Sequence, residues 1–180
     1  IKLKVPQPDG TIKYEPIKGE IKIHDLFNMT AGFNYDCSSK EIREAVKNNP
    51  SAPTREIVKA IAKMGVDFEP GTRWQYSLCH DVLACLVEVS TGVKFADYVK
   101  KVIFEPLGMT NSTYHPTKEM IEKMCAQYRF NYSTNLPDRV EKTNDYIFGD
   151  EYDSGGAGVF TTVDDYVKFF KKQNKGLSAI

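Results

Sequence analysis

The chain has 180 residues, and its 24 Lys and Arg balance 24 Asp and Glu, so the formal net charge is zero. That length makes one domain with a sizeable core the default, and a hydrophobic content of 41% excludes global disorder. Neutrality removes the electrostatic footprint of a nucleic-acid binder and any pull toward an anionic membrane surface, and no run of about 18 apolar residues is present to span a bilayer.

The chain opens Ile1-Lys2-Leu3-Lys4, with neither Met nor a signal-peptide pattern, as an excised or processed piece would. Asp9-Gly10 is a hairpin signal, so Lys2–Val5 and Ile12–Glu15 are expected as short strands or an extended arm covering residues 1–20. Residues 21–33 read as a short helix stopped by Gly32. Ser38–Asn48 reads as a helix with Ile42 and Val46 one turn apart. Ser51 is expected to cap the next helix, with Pro53 in its first turn and Ile57, Val58, Ile61 and Met64 on its apolar face.

Ser77–Ser90 carries the clearest helical pattern, a stripe of Leu78, Val82, Cys85, Leu86 and Val89 ended by Gly92. Helical spacing resumes at Phe95 and runs to Pro106. Lys118–Met124 reads as a helical turn or two, and Ala126–Tyr132 as a strand that pairs with Asp138–Lys142. Thr162-Val163-Asp164-Asp165 resembles a capping box opening a last helix through Lys172, with Val163, Tyr166, Val167 and Phe170 inward. The expected class is mainly α with a minor β component.

Generic chemical motifs are sparse. Cys37, Cys79, Cys85 and Cys125 lie at irregular spacings without zinc-ligand pattern, which favours reduced structural thiols and leaves disulfide pairing open. Gly156-Ala157-Gly158 begins a dinucleotide fingerprint, but Thr161 stands where its last glycine belongs. His24, His80 and His115 have no nucleophile motif beside them, and Glu88 and Asp97 read as solvated helix charges. Neither a metal nor an organic cofactor is implied. Tyr76 is different: it precedes the longest helical pattern, at the positive end of a helix dipole, a place that suits a tyrosine exchanging protons.

Several ordered blocks resemble the serine β-lactamase and penicillin-binding protein family, nearest class C β-lactamases, DD-peptidases and related esterases. They are residues 21–33, Pro70-Gly71-Thr72-Arg73-Trp74-Gln75-Tyr76-Ser77, residues 89–98, residues 103–112 with the string Phe104-Glu105-Pro106-Leu107-Gly108-Met109-Thr110, and residues 155–165 opening Gly155-Gly156-Ala157-Gly158. The resemblance implies that residues 21–180 form the helical subdomain of a larger transpeptidase-like fold. In that family a serine of Ser-x-x-Lys attacks an amide or ester carbonyl, and the tyrosine of Tyr-x-Asn manages protons with the lysine. Tyr76 is the counterpart of that tyrosine, with Trp74, Ser77 and Leu78 as candidates for the substrate cleft. The implied partner is a small-molecule or peptide substrate.

Three departures shape the expectation, one being that the family's Lys-Thr-Gly or His-Thr-Gly strand is expected downstream of the Gly-Gly block, Ser90-Thr91-Gly92 reading as a helix end. No Ser-x-x-Lys is present: Ser38 meets Glu41 and Ser77 meets His80 at the third position. The expected nucleophile therefore lies outside the chain, which on its own is expected to be inactive. Leu78 replaces the motif asparagine, which points away from an efficient β-lactamase and toward an esterase, a peptidase or a non-catalytic homologue that binds cell-wall peptide or a protein. A free-standing helical interaction domain is the third reading.

Overall fold

The computed structural model describes residues 1–140 and 146–177, with side chains up to residue 173 in the last helix. The chain falls into two compact units, Ile1–Lys101 with Tyr146–Gly158, and Val102–Asp145 with Val159–Ile180.

The first unit opens with an antiparallel hairpin, β1 (Lys2–Pro6) and β2 (Ile12–Pro16), in which Val5 faces Lys13. Gly10, at φ +83°, supplies its turn. The hairpin is tied to the helical body at Val66, which bonds Lys2 and Lys4 through the backbone. The Lys4 ammonium lies 2.9 Å from Asp67 Oδ1.

Helices α1 (Ile23–Phe27), α2 (Lys40–Asn48), α3 (Thr54–Met64), α4 (Cys79–Thr91) and α5 (Phe95–Val99) follow. The expected helix over residues 21–33 shrinks to α1. Asp25 reaches back to accept the Lys22 N–H at 2.9 Å, and this bond holds its carboxyl below the ordinary value despite burial. The chain leaves α1 through Met29 at φ +58°, well before Gly32.

In α2, the Ser39 hydroxyl caps the Ile42 N–H at 3.3 Å. The cap of α3 is Pro53 itself, which lacks a capping side chain, so Ser51 stays outside the helix. The apolar face of α3 is as expected: Ile57, Ile61 and Met64 are buried and join Leu26, Ile42 and Phe148 in one core.

The face of α4 is rotated from the expected stripe. Asp81, Ala84 and Glu88 are buried, whereas Val89 is 62% exposed. Glu88 is thus not a solvated charge: it accepts the Phe95 N–H at 3.1 Å and pairs with Arg55 at 3.5 Å. Gly92 ends α4 in the left-handed conformation, φ +73°.

The chain passes into the second unit within a π-helical turn, Lys100–Phe104, and continues into α6 (Glu105–Leu107), where Pro106 is accommodated in the first turn. The second unit also holds α7 (Lys118–Lys123), the antiparallel pair β3 (Gln127–Asn131) and β4 (Leu136–Val140), and α8 (Val163–Leu177). The expected strand end at Lys142 lies outside the described residues. The Thr162 hydroxyl does cap α8 by accepting the Asp165 N–H at 3.4 Å.

The inward face expected of α8 is reversed. Val163, Tyr166, Val167 and Phe170 are exposed, and among the described side chains of α8 the buried one is Asp165. Its carboxylate accepts the Asn111 N–H at 2.7 Å, the Ser112 hydroxyl at 3.0 Å and Lys168 Nζ at 2.8 Å. Burial opposes its ionisation, yet these donors outweigh burial and hold its carboxyl below the ordinary range. Among the described residues no helix is long and apolar enough to cross a membrane. The four cysteines are free thiols.

Candidate active site

The segment leading into α4 is held by backbone bonds. Gly71 and Gln75 donate to the Thr30 and Met29 carbonyls at 2.8 and 3.0 Å, and Leu78 donates to Asn34 at 3.2 Å. Arg73 lies 4.5 Å over the Phe68 ring and steadies the preceding turn. Along this segment Trp74 and Tyr76 are 65% and 55% exposed, Gln75 is half-buried and Ser77 is buried.

The expected site residues therefore separate. Trp74 stands at the surface. Ser77 is buried, its hydroxyl 3.0 Å from Cys79 Sγ and 3.4 Å from Met29 Sδ, so it faces the core and not a cleft. Leu78 is also buried and serves as the N-cap position of α4. Of the four candidates, Tyr76 and Trp74 are exposed and Ser77 and Leu78 are buried.

Tyr76 does not stand alone. Its ring lies 4.9 Å from that of Tyr35, which lies 5.8 Å from Tyr146. Burial first, and then the neighbouring Tyr76 and Tyr146, push the Tyr35 phenol well above its ordinary value and keep it protonated.

Asp81, in the first turn of α4, belongs to no motif above. It is 2% exposed, and one carboxylate oxygen accepts both the Tyr152 hydroxyl at 2.5 Å and the Ser154 hydroxyl at 2.7 Å. Burial and the adjacent Asp81 charge raise the Tyr152 phenol, which stays a donor. The Ser154 oxygen in turn accepts the Gly156 and Ala157 N–H groups at 3.3 and 3.0 Å. A Cβ on Gly155 would sit 2.1 Å from the His80 carbonyl, so only glycine lets this loop reach α4. The sequence signal for this network was the Ser154-Gly155-Gly156 string, whose partner lies more than seventy residues upstream.

Thr91 and Lys94 have the spacing of the family's nucleophile and lysine, with threonine for serine. The Thr91 hydroxyl instead donates to the Val87 carbonyl at 2.8 Å, and Lys94 pairs with Glu151 at 2.8 Å. Both serve the end of α4 and its surroundings. Among the described residues no group of three or more His, Cys, Asp or Glu is placed to hold a metal ion.

Asp67 braces the same segment from behind, accepting Lys4 Nζ and Gln75 Nε2, each at 2.9 Å. Burial opposes its ionisation, but the Lys4 and Gln75 bonds prevail and lower its carboxyl below the ordinary value. A depressed carboxyl contributes stability that is present above its unfolded pKa and lost as pH falls through the folded one. Thermal melts of wild type and Asp67→Asn are therefore expected to differ at neutral pH, wild type being the more stable. The two should converge on acidification below about pH 4, the unfolded reference for aspartate.

A beta-lactamase family model matches residues 7–179. Esterase EstB of Burkholderia gladioli is 30% identical over 170 residues, covering 82% of this chain and 43% of that protein. ML-236A carboxylate methylbutanoyltransferase mlcH of Penicillium citrinum is 28% identical, covering 84% of this chain and 36% of that protein. Among solved structures, the LovD6 mutant of simvastatin synthase from Aspergillus terreus superposes with a TM-score of 0.72 at 23% identity, over 93% of this chain and 40% of that one. The chain thus spans 36–43% of the length of these proteins. With its mainly helical fold and the Tyr76 segment in place, the chain belongs to the beta-lactamase family.

Proposed function

We propose that this chain is the tyrosine-bearing helical part of a serine hydrolase that cleaves small amide or ester bonds through an acyl-enzyme. Tyr76 is the proton-transfer group, and the serine nucleophile and its lysine lie outside these 180 residues. The observation that carries this reading is the setting of Tyr76: the backbone on either side of it is tied down by Gln75 donating to Met29 and Leu78 donating to Asn34, while Tyr76 remains 55% exposed. A fixed frame with an accessible hydroxyl is what proton transfer to a substrate demands. Trp74, exposed beside it, is the candidate for substrate contact.

A second reading has its own observation. Leu78 replaces an amide and is buried, so this position offers no hydrogen bond to a substrate. A non-catalytic homologue that binds cell-wall peptide or a protein would tolerate that loss.

The two readings part in a direct assay of nitrocefin and a short-chain nitrophenyl ester. The 180-residue chain is expected to hydrolyse neither above its Tyr76→Phe control, while the whole protein turns over at least one. Turnover by the isolated chain would place the nucleophile inside it. No turnover of any amide or ester by the whole protein would favour the binding homologue.

A further inference from the structure

The segment Tyr146–Gly158 crosses the first unit as a strap, and it meets the Tyr76 region through two separate contacts. At its start, Tyr146 lies against Tyr35, which lies against Tyr76. Near its end, Tyr152 and Ser154 donate to one oxygen of Asp81. Between these ends, Phe148 stacks on Tyr152 at 5.1 Å, and a Cβ on Gly149 would meet the Ala52 carbonyl at 2.6 Å. The strap therefore has little room to slide: the Asp153 N–H donates to the Thr54 hydroxyl at 2.9 Å, Lys94 pairs with Glu151 at 2.8 Å, and from α4 the Asp81 carboxylate grips two of its hydroxyls.

A buried carboxylate is an expensive choice for a purely mechanical contact. Desolvation opposes the charge, and a well-packed apolar side chain would serve cohesion as well. What a carboxylate adds is direction, because charge-assisted hydrogen bonds fix donors more tightly in place than dispersion does. Both donors belong to the strap, and one of them, Ser154, orders the following Gly-Gly loop through two backbone N–H groups.

We infer that Asp81 is a positioning residue for the Tyr76 site: by clasping Tyr152 and Ser154 it fixes the strap, and the strap holds Tyr146 and Tyr35 as the ring wall that sets the place of Tyr76. This rests on the reading of Tyr76 as the proton-transfer group. Asp81 itself touches no substrate.

The test uses Tyr152→Phe and Ser154→Ala, each of which removes one hydroxyl from the clasp and leaves the packing nearly intact, beside Asp81→Ala. Nitration by tetranitromethane of the whole protein, mapped by peptide mass spectrometry, reports on Tyr35, the middle ring. Its rate is expected to rise about tenfold in each single-hydroxyl variant, the effect of losing one hydrogen bond to a charged group, while Tyr98 on α5 keeps its wild-type rate. Unchanged nitration of Tyr35 overturns the inference, and so does a parallel rise at Tyr98, which would show general loosening.

In the whole protein the same two variants should lower kcat about tenfold with KM held within about twofold, the signature of a misplaced catalytic group. Wild-type kcat in Tyr152→Phe beside an inactive Tyr76→Phe overturns the positioning role and leaves the proposed function standing. Wild-type kcat in Tyr76→Phe removes the proposed role of Tyr76, and the clasp is then judged by the nitration of Tyr35 alone.

Discussion

Gly155→Ala is expected to destabilise the protein by about 3 kcal/mol, the upper end of ordinary overpacking. The new methyl would stand 2.1 Å from the His80 carbonyl oxygen and 3.0 Å from the Ala84 methyl. The first of these atoms is backbone inside the first turn of α4, so it yields only if the helix start moves. Moving the helix start would also part Asp81 from Tyr152 and Ser154, whose hydroxyls it accepts at 2.5 and 2.7 Å. For a chain of this length the melting temperature should fall by about 6–12 °C. Gly92→Ala is the matching control: its φ is +73°, but a Cβ there meets nothing within 4 Å. It carries only the left-handed strain of about 1–2 kcal/mol. Thermal melts of the two variants side by side test whether close approach of the Gly-Gly loop dominates over backbone conformation.

Tyr76→Phe in the whole protein is expected to lower kcat by about 10²–10⁴-fold, the range for loss of a positioned acid–base group. At about 1.4 kcal/mol per decade that is roughly 3–5 kcal/mol of transition-state stabilisation. The variant should fold normally, because the ring that packs 4.9 Å from Tyr35 is retained and the hydroxyl sits on an exposed side chain. KM should move little, since the interaction lost is made in the transition state. Stopped-assay kinetics with a nitrophenyl ester, paired with a melting curve, separate this outcome from simple unfolding. A fall in melting temperature that accounts for the lost activity would assign Tyr76 to structure.

Local chemistry made α2, α3 and the two hairpins legible in the sequence. The Ile42/Val46 spacing, the Ile57/Ile61/Met64 face and Asp9-Gly10 act within a few residues of themselves. α4 was legible as a helix but not in its orientation. Its apolar stripe suggested one buried face, whereas the structure buries Asp81 and Glu88 because their partners, Tyr152, Ser154, Arg55 and the Phe95 N–H, come from distant segments. Periodicity weighs each residue by its own transfer energy and has no account of a donor waiting seventy residues away. α8 fails in the same way: Asp165 is buried because Asn111, Ser112 and Lys168 satisfy it, and Tyr166 and Phe170 are left outside. Tyr76 was singled out by its motif, and burial separates it from Ser77, which faces the core. Asp81 was invisible, since a lone aspartate in a first helical turn is ordinarily a response to the helix dipole.

On the proposed function, Tyr76 serves an acyl-enzyme whose serine is not among these 180 residues. The direct measurement is to treat the whole protein with a fluorophosphonate, whose phosphorus a catalytic serine attacks with loss of fluoride, and to map the adduct by peptide mass spectrometry. The expected result is one stoichiometric adduct on a serine outside residues 1–180, in a Ser-x-x-Lys sequence, formed much more slowly in Tyr76→Phe. An adduct on Ser77, Thr91 or any other residue of this chain, or none at all, would contradict the account.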